Sequence, residues 1–376
     1  MIRPVHGGNL AWAAALAGCP PSAILDFSAS ISPLGPPESA LDAIQAHLSS
    51  LTAYPDPDYG ELRTALGEAL NVDPDWILPG NGSAELLTWA AWDLSKLEAT
   101  YLVTPAFGDY WRALSAFGAK VLKCPLALQL LDADPVRRLV TDDLSVSNRS
   151  LVSPSFHLPV PLALDADRGL LLNNPHNPTG LLFDREAILP YVKQLGMVVV
   201  DEAFMDFLPP SKQETLIDAV EEFPNLVILR SLTKFYSLPG LRLGCAIAHP
   251  DILGRWQLQR DPWPVNALAA AAAAAVVRDT VFERQTWDWL PVARRELFEG
   301  LANLPGLQPI AGAANFLLVE SSMSVSLIQK SLLERHRILI RDCLSFPELG
   351  DRFFRVAVRS RADNLRLIAA LAEVIR

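Results

Sequence analysis

Short apolar runs recur along the middle of the chain, separated by stretches with helical spacing. Residues 100–104, 169–173, 197–201 and 226–230 are apolar until their ends and short enough to be strands. Unbroken apolar strands alternating with helices predict a parallel sheet covered on both faces. Residues 244–248 follow closely on the fourth run and read as an added strand. Residues 61–70 and 184–195 carry the periodicity of half-buried helices. Past about residue 280 the texture changes. Residues 287–304 read as a helix, 314–320, 337–342 and 353–359 as strands, and 361–376 as a closing helix. The fold class read from this pattern is α/β, a mostly parallel central sheet with helices on both faces, plus a smaller α+β domain.

A length of 376 residues suits two domains. The expected division is an arm over 1–40 that contributes to the small domain and the active site, a large α/β domain over 41–265, and a linking helix with the small domain over 266–376. The stretch 33–57 is rich in loop residues and is expected to pass between subunits. The apolar run at 267–277 is shorter than the roughly 20 residues that span a bilayer, and reads as a buried helix. The first 22 residues make a poor leader, because Gly and Pro interrupt the apolar stretch. The four cysteines lie far apart with no CxxC pair, which speaks against a metal knot and fits a reducing cytoplasm. No metal and no membrane partner are expected.

The formal net charge is −10, which argues against a nucleic-acid partner, since phosphate backbones demand clustered cations. The charge is unevenly spread. Residues 335–366 hold eight arginines, four acids and no lysine, so they carry +4 and leave −14 to the rest of the chain. A local positive field of this kind collects small anions.

In an open parallel sheet, ligands bind beyond the carboxyl ends of the strands. Four polar clusters fall at such ends: GNGSAE at 80–85, NNPHNPTG at 173–180, DEAF at 201–204, and SLTKFYSLPGLRLG at 231–244. Lys234 between apolar neighbours would be desolvated, which favours the neutral amine that condenses with an aldehyde; a surface lysine is the alternative. Asp201 after three valines is either a buried acid or a helix cap. Gly80-Asn81-Gly82-Ser83 is either a plain capped turn or a helix start offering N–H groups to a phosphate. An imine-forming lysine, a phosphate-binding helix start and a buried carboxylate are together what pyridoxal 5'-phosphate needs.

NNPHNPTG, DEAF and SLTKFYSLPGLRLG, in this order and spacing, resemble the fold type I pyridoxal-phosphate enzymes, and within them the histidinol-phosphate aminotransferase-like group. HGGN at 6–9, LDFSASISPLG at 25–35, YPDPDY at 54–59, PWPVNALA at 262–269, ILIRDC and RVAVRS are similar to the branch that decarboxylates threonine phosphate in cobalamin biosynthesis. The resemblance spans essentially the whole chain. It implies that Lys234 holds the cofactor aldehyde, Asp201 pairs with the ring nitrogen, Asn177 hydrogen-bonds the ring hydroxyl, and Phe107 stacks on the ring. It implies that Asn81, Gly82, Ser83, Ser231, Thr233 and Arg242 surround the cofactor phosphate. Tyr54 would reach that phosphate from the neighbouring subunit, which makes the expected assembly a homodimer with shared active sites.

On the substrate side, the resemblance makes His6 and Gly7 a cover, and Arg341 and Arg355 the clamps for substrate phosphate and carboxylate. Ser30 and Asn177 would also face the substrate. Read as isolated residues, His6 is a surface histidine and the two arginines are edge-strand side chains whose stems snorkel. Arg359 and Arg361 read as solvated face residues, and His176 is assigned nothing. Two departures from the branch are visible: Ser30 and Ser32 stand where asparagines are expected, and Phe204 stands where many aminotransferases of the group carry tyrosine. The expected partner is a small phosphorylated amino acid. The implied activity is decarboxylation of threonine phosphate, with transamination, for example of histidinol phosphate, as the alternative. A non-catalytic relative would have lost Lys234 or Asp201, and both are present.

Overall fold

The computed structural model describes residues 4, 6–126, 158–161 and 165–375. Leu25–Asp26 (β1) is a short strand near the N-terminus. The large sheet contains Ile77–Gly80 (β2), Ala99–Thr104 (β3), Val121–Pro125 (β4), Arg168–Asn173 (β5), Met197–Asp201 (β6), Leu226–Ser231 (β7) and Gly244–Ala248 (β8). Their order is β2-β8-β7-β6-β5-β3-β4. The five strands from β7 to β4 run parallel, while β8 pairs antiparallel with both β7 and β2. The apolar runs form the centre of the sheet because both faces are buried: Val198, Val199 and Val200 have no exposed surface, nor do Leu226 to Leu229. The tight connection from Lys234 to Gly244 leaves no room for a crossover helix, so β8 returns antiparallel.

The C-terminal part is built on Leu307–Ile310 (β9), Phe316–Ser321 (β10), Ile338–Leu339 (β11), Arg341–Asp342 (β12) and Phe353–Ala357 (β13). The second sheet has the order β12-β13-β10-β9, and its pairs are antiparallel. The run 337–342, expected as one strand, is divided. Residues 338–339 pair parallel with β1, and 341–342 pair with β13. Ile340, buried between the two pieces, marks the change of partner.

The segment 33–57 is not the loop expected of it. It carries the helix Glu38–Ala46 and a 3₁₀ turn over Leu48–Thr52. The helix starts directly after Pro37, and Ala40 and Ile44, spaced by one turn, face the core. It packs on the alanine-rich helix Ala267–Val276, whose small side chains permit close approach. The helix Thr280–Ala302 runs on from there to the second sheet.

Candidate active site

Three strand ends of the large sheet place the central chemistry. β6 ends in Asp201 and β5 in Asn173, and these two are register partners. β7 ends in Ser231, and a single helical turn, Leu232–Phe235, then presents Lys234. The Lys234 ammonium donates to Ser231 Oγ at 3.1 Å, and the Ser231 and Thr233 hydroxyls lie 2.9 Å apart. Nζ also sits 5.1 Å from the centre of the Phe204 ring, which is held edge-on by Phe316. Burial pushes the Lys234 amine down to about 8; Arg242 and Arg355 add to this, and Asp201 opposes it.

Asp201 is held from two sides. Tyr110 donates its hydroxyl to Oδ2 at 2.8 Å, and the Ala203 N–H donates to Oδ1 at 3.0 Å. Burial raises the Asp201 carboxyl, against the charge of Lys234 and these two hydrogen bonds. Tyr110 was not singled out in the sequence, because its partner lies 91 positions away. Its ring meets Phe107 edge-on at 5.7 Å, so one helix, Gly108–Ala116, supplies both the support of Asp201 and, at its cap, Phe107.

The helix Ser83–Leu94 begins at Gly82 without a side-chain cap, which leaves its first N–H groups to other acceptors. Gly82 has φ +76, and a Cβ built there would lie 2.6 Å from Arg242 Nη2. The absence of a side chain at Gly82 is therefore what lets the guanidinium approach the helix start. The Asn81 N–H is taken by Glu85 Oε2 at 2.8 Å. Arg242 itself has φ +58, which turns it back toward this end after the Pro239-Gly240 turn.

The second sheet brings the arginines. Arg341 and Arg355 are direct register partners on β12 and β13. Arg355 Nη1 donates to Asn177 Oδ1 at 2.5 Å and Nη2 to the Ser28 carbonyl at 3.1 Å, while its guanidinium covers Phe316. Arg341 Nη2 donates to Ser345 Oγ at 2.6 Å. Burial, with Arg341 beside it, lowers Arg355 to about 10. Two neighbouring cations with partly desolvated heads suit a ligand of more than one negative charge.

The arm lies along the same rim. Gly7 packs against the Ser28 carbonyl, leaving no space for a Cβ, and the Gly8 N–H donates to Ser28 Oγ at 2.8 Å. The His6 ring stands 5.5 Å from that of Phe107. Ser30 is buried, and its Oγ has no partner among the described residues. The Ser32 N–H donates to the Lys234 carbonyl at 3.0 Å, tying this stretch to the lysine turn. Tyr54 stands apart, 78% exposed and stacked on Trp263 at 4.3 Å.

Two sequence readings change. Arg359 is not a solvated residue: it donates to the Asp26 carbonyl at 3.1 Å and lies over Phe27, anchoring β1. Arg361 is exposed and pairs with Glu296. His176, unassigned before, is fully buried with Nδ1 2.8 Å from Thr179 Oγ1, and burial lowers it to about 3, so it is neutral and braces the turn that carries Asn177. Among the described residues no cluster of His, Cys, Asp and Glu is placed to hold a metal, and no helix is long and apolar enough to cross a membrane.

A half-buried, desolvated amine beside a buried carboxylate, an uncapped helix start with an arginine, and a facing pair of arginines form one site on the rim of a mostly parallel sheet. The chain belongs to the aminotransferase class I and II family of enzymes, whose family pattern matches residues 22–371. It is 38% identical to the threonine-phosphate decarboxylase of Salmonella typhimurium, over 100% of this chain and 98% of that one. The structure of the L-threonine-O-3-phosphate decarboxylase from Porphyromonas gingivalis superposes with a TM-score of 0.77 at 24% identity, covering 94% of this chain and 99% of that one. That of the histidinol-phosphate aminotransferase from Clostridium acetobutylicum gives 0.78 at 26% identity, covering 93% of this chain and 99% of that one.

Proposed function

We propose that this enzyme binds pyridoxal 5'-phosphate and decarboxylates L-threonine O-3-phosphate to (R)-1-aminopropan-2-yl phosphate and carbon dioxide, as a step of cobalamin biosynthesis. The observation that carries the reading is the register pairing of Arg341 with Arg355, next to the half-buried Lys234 and the buried Asp201. A substrate with both a phosphate and a carboxylate matches two adjacent guanidinium groups. The whole-length likeness to the Salmonella typhimurium decarboxylase supports the same choice.

The residues present fit the cofactor. The cradle that a Cβ at Gly82 would fill is open to a phosphate, between the helix start and Arg242. The Ser231 and Thr233 hydroxyls are buried at the end of β7 and in the turn that follows it. Lys234 is the amine that takes the aldehyde, Asp201 the acid for the ring nitrogen, Asn177 the partner of the ring hydroxyl, and Phe107 the stacking face. When bound, the cofactor supplies an electron sink for the pair released from the substrate Cα. Asp201, its carboxyl raised by burial against the opposing influence of Lys234, Tyr110 and Ala203, would hold a proton on the ring nitrogen. Arg341 and Arg355 grip the two anionic ends of the substrate, and His6 and Gly7 cover it against water. This fixes which bond at Cα stands in line to break, so that positioning rather than acid–base strength selects loss of carbon dioxide. Lys234 Nζ then delivers a proton to Cα, replacing the carboxylate.

Phe204 supports decarboxylation over transamination, because its ring packs on Phe316 and offers no hydroxyl to the ring oxygen. Purified protein given threonine phosphate should release carbon dioxide without a keto acid. Amino transfer from histidinol phosphate to 2-oxoglutarate, with no carbon dioxide, would instead make it the aminotransferase.

Gly82→Ala is expected to weaken cofactor binding by about ten- to a hundredfold in an absorbance titration, since its φ suits glycine and its Cβ would displace Arg242. Cofactor uptake by the apoenzyme needs neutral Lys234. The amine is lowered to about 8, so the uptake rate should climb as pH rises through 8 and level off above it. A rate flat from pH 7 to 10 would contradict this.

The reading extends to a homodimer in which Tyr54 serves the partner's site. Tyr54 and its stacking partner Trp263 are exposed, as are Leu41, Leu48 and Leu51 of the same segment, and a second copy would cover them. Light scattering should give twice the 41.1 kDa of one chain; a stable monomer with full activity would exclude shared sites.

A further inference from the structure

Arg294, on the helix Thr280–Ala302, is buried and has no carboxylate partner among the described residues. Its Nη1 donates to the carbonyls of Ala313 at 2.5 Å and Ala314 at 3.0 Å, and its Nε has no partner. Burying a guanidinium against carbonyls alone is costly, and an apolar side chain of similar length would fill the space without that cost. Burial lowers it only to about 10, so the charge is still present at neutral pH.

The two carbonyls belong to the loop 311–315, and this loop touches three functional elements at once. The Ala313 N–H donates to the Gly180 carbonyl at 2.7 Å, in the turn that carries Asn177. Gly312 lies so close that a Cβ on it would come within 2.9 Å of Gly180 Cα. Asn315 Nδ2 donates to the Ser30 carbonyl at 3.0 Å. The Asn315 carbonyl accepts from the Val358 N–H at 2.8 Å, just past the strand of Arg355. Besides the direct contacts of Arg355 with Asn177 and Ser28, this loop thus ties Gly180 and Ser30 to the end of the Arg355 strand.

We infer that Arg294 is a positioning residue: by clamping the Ala313 and Ala314 carbonyls it fixes the loop that sets Asn177, Ser30 and Arg355 relative to one another in the substrate site. The inference rests on the proposed reading of those three residues as substrate contacts. It predicts a loss of substrate fit more than of chemistry.

The experiment compares the holoenzyme with Arg294→Met, Arg294→Lys and Gly312→Ala, the last disturbing the loop from its other end. In Arg294→Met, KM for threonine phosphate should rise about tenfold while kcat stays within about threefold, and Arg294→Lys should recover most of the loss. Backbone amides at 28–32 and 177–181 should exchange faster, and those of 197–201 should not. If Arg294→Met does not accumulate folded, Gly312→Ala should give the same two signatures. Unchanged exchange in both segments, or equal loss in the Lys and Met variants with kcat and KM changing alike, would overturn the inference. If the parent enzyme releases no carbon dioxide, the proposed reaction fails, and the exchange pattern still decides the role of Arg294.

Discussion

Lys234→Ala should leave a folded protein that no longer turns over threonine phosphate, with carbon dioxide release down on the order of 10⁴-fold or more. In the proposed mechanism the amine both takes the cofactor aldehyde and moves the proton at Cα, so one truncation would remove two functions. The phosphate cradle at Gly82 and Arg242 is untouched, and the variant should still retain cofactor, without the visible absorbance of a lysine-bound aldehyde. The truncation also acts on Asp201. Lys234 is the largest influence opposing burial at that carboxylate, and without it the carboxyl rises further. Adding Asp201→Asn to Lys234→Ala should therefore cost little more, in the manner of residues that act as a unit. Turnover within tenfold of the parent in the single variant would remove Lys234 from the mechanism.

Asp201→Asn is the second large effect. An asparagine preserves size but cannot hold a proton on a ring nitrogen by charge. The kcat should fall by about 10²- to 10³-fold, the scale of losing one well-placed electrostatic contact. A second consequence has a definite sign. Asp201 raises the Lys234 amine against burial, so its removal lets the amine fall below about 8. The pH dependence of cofactor uptake should then move to more acidic pH than in the parent. An unmoved curve together with a full kcat would mean that the two groups are not coupled.

The sheet was legible where its strands are buried on both faces. The run 197–201 is a strand with those same bounds, because three valines and an aspartate leave no competing period. The run 244–248 was also visible as a strand, but its antiparallel direction depends on the length of the Lys234–Gly244 connection, which apolar patterning does not encode. β9 escaped notice because Pro309 and alternating burial give it no apolar run. The division of 337–342 follows from two partners far away in sequence, Leu25–Asp26 and Phe353–Ala357. In the candidate site, Lys234, Asp201 and Asn177 drew notice in the sequence because each stands at or shortly after the end of an apolar run. Tyr110 and Arg294 did not, since each is one polar residue on an amphipathic helix, and only the tertiary structure reveals that it faces inward.

The lysine and its acid stand on the seven-stranded sheet, and the paired arginines stand on the four-stranded one. For a lineage of such enzymes, this partition separates two selective pressures. On the proposed reading, substitutions on the smaller sheet would change which anionic substrate is gripped while the cofactor contacts of the larger sheet stay in place, so intermediates between one specificity and the next would keep their catalytic machinery. The Asn177–Arg355 hydrogen bond is where the two histories must agree. Drift on either side of it is constrained by the other.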